Sequence, residues 1–203
     1  MENTYVVYDD SKECVIIDPG CYERSEQLAL HNFITQNGLQ VKHLLNTHCH
    51  IDHVLGNAYV MHQYGVPLEI HEIEKTQLKA VESYAPSYGF TQYQPSEASV
   101  WLQEEDVIRF GSTELRVMFT PGHAAGHVVF VCDAAGFVIN GDVLFQGSIG
   151  RTDLPGGDFD TLIQSIQQKM FLLPDETVVY CGHGPSTTIG YEKRTNPFCA
   201  LSR

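Results

Sequence analysis

The 203 residues carry 25 acidic against 12 basic side chains, a formal charge of -13, with 43% hydrophobic and 18% charged residues. That is the make-up of a soluble globular chain large enough to build its own core, not of a disordered one. It excludes a nucleic-acid binder, which needs clustered Lys and Arg, and no apolar run approaches the roughly 20 residues that span a bilayer.

Met-Glu-Asn-Thr-Tyr at the start has neither the basic nor the apolar region of a signal peptide, so the cytoplasm is the expected location. The strands 4–8 and 14–18 are rich in β-branched and apolar residues and flank a hairpin turn at 9–12. Helical periodicity follows over 25–37, with Gly38 as its stop. A short apolar strand at 41–45 runs directly into His48. Next come a helix over 56–64 ended by Gly65, a strand over 67–71 and a helix over 72–84. Residues 85–99 are the least regular stretch, an aromatic loop that is either a lid or a packed surface segment. The remainder is strand-rich, with strands at 107–110, 114–119, 127–132, 137–140 and 177–180 and an amphipathic helix over 159–172. There is no short repeat and no low-complexity linker, so residues 1–203 are expected to form one domain of two similar halves, each giving strands, helix and strand. The six cysteines include no C-x-x-C pair and are expected as free thiols.

The chemistry concentrates where apolar strands end. Thr47-His48-Cys49-His50-Ile51-Asp52-His53 places four ligand-type side chains within six residues. On an extended chain residues i and i+2 point to the same side, so His48 and His50 can reach one ion. Asp52 and His53 follow where the chain must bend into the next helix, which aims them at a second ion. Three later apolar runs each end in a small residue and one more ligand type: His123 after 118–122, Asp142 after 137–141 and His183 after 178–182. Any of these alone reads as an ordinary polar residue; with the first cluster they complete a metal-binding set.

These motifs resemble those of the metallo-β-lactamase-fold superfamily. Residues 47–53 are similar to its T-H-x-H-x-D-H signature. Pro121-Gly122-His123-Ala124-Ala125-Gly126-His127, Gly141-Asp142-Val143-Leu144-Phe145, Cys181-Gly182-His183-Gly184 and Asp18-Pro19-Gly20 resemble its other elements. The resemblance implies an α+β fold, an αββα four-layer sandwich with metals at one edge of its two sheets. It implies two divalent ions, zinc by default with iron or manganese as alternatives. His48, His50 and His123 would hold the first, Asp52, His53 and His183 the second, and Asp142 would bridge them. Asp18, Thr47, Thr120 and His127 would orient ligands by hydrogen bonds, and Cys49 would pack away from the metals.

Within the superfamily the nearest branch is the glyoxalase II-like hydrolases, which act on small-molecule thioesters. Water held between two ions is deprotonated near neutral pH and attacks a carbonyl carbon; Asp52 and Asp142 are the catalytic candidates. No strong general acid stands beside the cluster, which suits a thiolate leaving group. Glyoxalase II proper has a C-terminal helical domain for glutathione, whereas the 20 residues Gly184 to Arg203 are similar to the ends of short single-domain relatives. Lactamases usually place a cysteine where this chain has Asp142. Persulfide dioxygenases share the motifs and would use one iron on His48, His123 and Asp142, so they are the rival reading. Arg151, Lys193 and Arg194 lie in loops after strand-end motifs. They either meet a substrate carboxylate, or Arg151 pairs with Asp153 or Asp158 while the other two are solvated.

Overall fold

In the computed structural model, which describes residues 2–201, the chain divides into two compact units. The first takes in residues 2–102 and 109–113, the second 103–108 and 114 onward.

The first unit is built on a five-stranded sheet in the order β1-β2-β3-β4-β5: Tyr5–Tyr8, Glu13–Ile17, Gln40–Leu45, Leu68–His71 and Ala98–Leu102. β1 and β2 form an antiparallel hairpin, and the later neighbours are parallel. Parallel neighbours require crossovers, supplied here by α1 (Arg24–Gln36), by α2 (Ile51–Val54) with α3 (Asn57–Tyr64), and by α4 (Lys75–Tyr84). A capping box between Glu23 and Glu26 starts α1. Leu30 and Ile34, one turn apart, carry its buried face into a core shared with Ile16, Leu44 and Ile70. The expected helix over 56–64 is α3, but a separate short helix, α2, precedes it and holds Asp52 and His53. The helix expected over 72–84 begins as a 3-10 turn at Glu72–Glu74, and the irregular stretch 85–99 contains a second such turn, Ala85–Tyr88, and the start of β5.

His43 lies on β3 with its Nδ1 2.5 Å from Glu69 Oε1 on β4 and its Nε2 3.2 Å from the Arg109 carbonyl. With an acceptor at each nitrogen the imidazolium is favoured, and Glu69 holds the His43 pKa above its usual value against the opposing effect of burial. A group whose folded-state pKa is raised adds stability that is complete below the unfolded value, ~6.5, and is lost as pH rises through the folded one. Replacing His43 with Gln should therefore lower the melting temperature most at about pH 5.5–6 and progressively less towards alkaline pH. A loss that is constant across that range would show that charge plays no part.

The second unit carries a six-stranded sheet in the order β13-β12-β9-β8-β7-β6 and a small β10-β11 hairpin. In chain order the strands are β6 (Val107–Phe110), β7 (Thr113–Phe119), β8 (Val128–Cys132), β9 (Phe137–Gly141), β10 (Leu144–Phe145), β11 (Ser148–Ile149), β12 (Val178–Cys181) and β13 (Thr187–Thr188). β9 and β12 are parallel, and α5 (Phe159–Gln168) makes the crossover. Asp158 caps α5 by accepting from Thr161 N at 2.8 Å. Leu162 and Ile166 are fully buried on it. Gly122, at φ +132°, lies so close to the Leu162 backbone that a Cβ there would collide with it. The last element among the described residues is α6 (Ile189–Thr195), which the sequence did not reveal. No helix among the described residues is long and apolar enough to cross a membrane. All six cysteines are free and buried.

Candidate metal centre

The site residues of the first unit follow β3. Beyond Leu45 the chain leaves the sheet through buried Asn46 and Thr47, runs extended to His50 and then turns into α2, with Asp52 and His53 in its first turn. The rings of His48 and His50 have centroids 4.7 Å apart and those of His48 and His53 4.1 Å apart. His48 and His53 are fully buried, whereas the Asp52 side chain is 41% exposed. Cys49, between them in sequence, packs into the apolar core, and burial pushes its thiol well above the usual range.

Asp18 organises this segment. Its carboxylate accepts from Thr47 N at 2.8 Å, from Thr47 Oγ1 at 2.6 Å and from His53 Nδ1 at 3.0 Å. Thr47 Oγ1 has one proton, directed at Asp18, so towards His48 Nδ1, 3.0 Å away, it can only accept. Both imidazoles thus carry their proton on Nδ1 and keep the Nε2 lone pair for another partner. Asp18 itself stands at φ +49°, a conformation Asp tolerates better than bulkier residues. Asn46 donates to the His53 carbonyl at 3.0 Å and accepts from Asn57 at 2.7 Å. Glu74, 2% exposed, accepts from Cys49 N at 2.8 Å and so fixes the backbone between His48 and His50. Neither Asn57 nor Glu74 was evident from sequence.

In the second unit His123 follows β7, Asp142 follows β9 and His183 follows β12. One oxygen, Asp142 Oδ2, lies 3.5 Å from His123 Nε2 and 3.4 Å from His183 Nε2. His123 Nδ1 is 2.7 Å from the Arg151 carbonyl. A carbonyl only accepts, so the proton is on Nδ1 and Nε2 is the available donor atom. His127 Nε2 accepts from the Asp142 backbone N–H at 3.1 Å, so this histidine positions Asp142 and is not itself a ligand. Thr120 Oγ1 lies 3.4 Å from its other nitrogen. At Gly150 a Cβ would collide with the Asp142 carbonyl and press on His123 Nδ1, so only glycine allows this approach. In each unit, histidines whose tautomer is fixed through Nδ1 beside an acidic side chain have the donor chemistry of divalent-metal ligands: His48 and His53 with Asp52 in the first, His123 with Asp142 in the second.

Of the three candidate cations, Arg151 forms a two-pronged ion pair with Asp153, both contacts 2.7 Å, and holds that carboxyl down to about 2. Lys193 and Arg194 both face Asp175, at 2.8 and 3.4 Å.

A model of the metallo-β-lactamase superfamily matches residues 1–183. The chain belongs to that superfamily. Hydroxyacylglutathione hydrolase GloC of Haemophilus influenzae is 37% identical over 199 residues, covering 97% of this chain and 92% of the relative. Among solved structures, the BLEG-1 B3 metallo-β-lactamase superposes with a TM-score of 0.85 at 37% identity, covering 98% of this chain and 94% of that one. TTHA1623 in a di-iron-bound form superposes with a TM-score of 0.83 at 36% identity, covering 97% and 94%. The mixed α/β architecture is therefore the metallo-β-lactamase fold of those structures, as the motifs implied. As a superfamily member the chain is a metallo-hydrolase relative whose His and Asp cluster suits metal. The superfamily match ends at His183, just before β13 and α6.

Proposed function

We propose that this chain is a binuclear metal-dependent hydrolase that cleaves a small-molecule thioester of the hydroxyacylglutathione type. The carrying observation is the Asp142 oxygen placed about equally from His123 and His183, the position of a carboxylate shared between two ions. In this reading His48, His50 and His123 hold one ion, Asp52, His53 and His183 the other, and Asp142 serves both. Ions bound there would polarise a carbonyl and make water nucleophilic near neutral pH. The chain's own residues do the rest. Asp18 and the Arg151 carbonyl keep the histidine tautomers fixed, Asp52 orients the nucleophile, and a thiolate of pKa ~8.5 leaves without a dedicated acid. The relative named as a hydroxyacylglutathione hydrolase supports the substrate class.

Arg151 is the cation proposed to meet a substrate carboxylate, because its own carbonyl already touches His123. Its ion pair with Asp153 is exposed on both sides, and such pairs exchange readily for another anion. With S-lactoylglutathione as substrate, Arg151→Ala should raise KM severalfold and leave kcat nearly unchanged, the mark of lost uniform binding. Unchanged KM would leave Arg151 as a purely structural pair. The lactamase-named structure favours a second reading, β-lactam hydrolysis. Turnover of a β-lactam without turnover of the thioester would replace the first reading with the second.

A further inference from the structure

The stretch between Asp142 and Arg151 is a hairpin whose two ends both serve the metal centre. Asp142 is at one root. At the other is the Arg151 carbonyl that fixes the His123 tautomer. Between them β10 and β11 pair Leu144 with Ile149 and Phe145 with Ser148, and Gly150 N donates to the Val143 carbonyl at 3.3 Å. The tip is gripped by α6. Glu192, fully buried, accepts from Gly147 N at 3.0 Å. Asn196, 1% exposed, donates to the Ser148 carbonyl at 2.9 Å and to Glu192 at 2.8 Å. Thr187 Oγ1 donates to the other Glu192 oxygen at 2.5 Å.

A buried carboxylate accepting three hydrogen bonds is expensive to desolvate and is retained where it fixes a geometry. Among the described residues, the only segment its side chain fixes, apart from its own β13 and α6, is the hairpin. From the tip to the Arg151 carbonyl is four residues of paired or bonded backbone, too short and too constrained to absorb a shift. We infer that Glu192 and Asn196 are positioning residues for the metal centre, acting through the 142–151 hairpin on His123 and Asp142. The C-terminal segment beyond the superfamily match is then part of the site's machinery. The inference rests on the proposed metal-dependent function, but its structural link does not require metal to be bound.

The test starts with metal-free protein labelled with 15N in its histidines. Long-range 1H–15N correlation reads which ring nitrogen of His123 carries the proton. Wild type should show the single Nδ1–H form. Glu192→Ala and Asn196→Ser should show a mixed or shifted His123 signal, with His48 and His53 unchanged. Zinc affinity by chelator competition should fall by about 10-fold, within the range seen when a ligand's orienting partner is lost. Glu192→Gln should restore both. Its amide oxygen still accepts from Gly147 and Asn196, and its NH2 can donate to Thr187 Oγ1 once that hydroxyl turns. If Glu192→Ala does not fold, Asn196→Ser alone decides. Variants with lowered melting temperature but wild-type His123 tautomer and zinc affinity would overturn the inference. If wild type binds no metal while the tautomer still depends on Glu192, the proposed function fails and the positioning link stands.

Discussion

Asp142→Ala should lose metal from both sites at once and reduce turnover on the order of 10³-fold or more, the scale of removing a central electrostatic group. Each of the other six ligands serves one ion in the proposed arrangement, and Asp142 alone serves two. Its carboxylate is nearly buried between His123 and His183. Its backbone is held independently, the N–H by His127 and the carbonyl by close packing on Gly150. Alanine preserves both of those contacts, so the metal-free protein should keep its fold and melt near the wild-type temperature. Atomic spectroscopy of the variant, beside its circular dichroism, checks this. Retention of a full metal complement would remove Asp142 from its bridging place.

Asp52→Asn is the second large expected effect. The side chain is 41% exposed, on the first turn of a four-residue helix, and lies 3.9 Å from His53 Nε2. It carries little of the core, so the substitution should cost little stability. Asn keeps the shape and removes the charge that, in the proposed arrangement, would ligate the metal and orient the nucleophile. We expect kcat to fall about 100-fold or more with KM changed little, by analogy with losing a positioning group in a preorganised site. Steady-state kinetics together with a melting curve separate the outcomes. Near-normal turnover would take Asp52 out of the reaction.

The proposed ligands were legible because each follows an apolar strand, and strand exits are recorded locally in the chain. β3, β7 and β12 end a few residues before His48, His123 and His183, and β9 ends directly before Asp142. The orienting role of Asp18 and His127 came from the family motifs, although not the details: His127 grips the backbone of Asp142 rather than a ligand ring. α2 escaped notice because four residues are too few to show helical periodicity. β5 was hidden behind the aromatic stretch, since buried and exposed positions do not alternate along Ala98–Leu102. The acidic braces could not have been read at all. Glu74 sits at the head of what resembles one amphipathic helix, and Glu192 stands beside Lys193 and Arg194 like any surface helix residue. Whether a glutamate is solvated or buried against backbone N–H groups depends on residues 25 and 45 positions away, Cys49 and Gly147, and no local pattern encodes that.

The most direct measurement of the central claim is the metal content of wild-type protein purified without chelator or added metal, with oxygen consumption recorded on the same sample. The account predicts two divalent ions per chain, thioester hydrolysis and no oxygen uptake. One iron per chain with oxygen uptake would contradict it, and would make the chain a mononuclear dioxygenase using His48, His123 and Asp142.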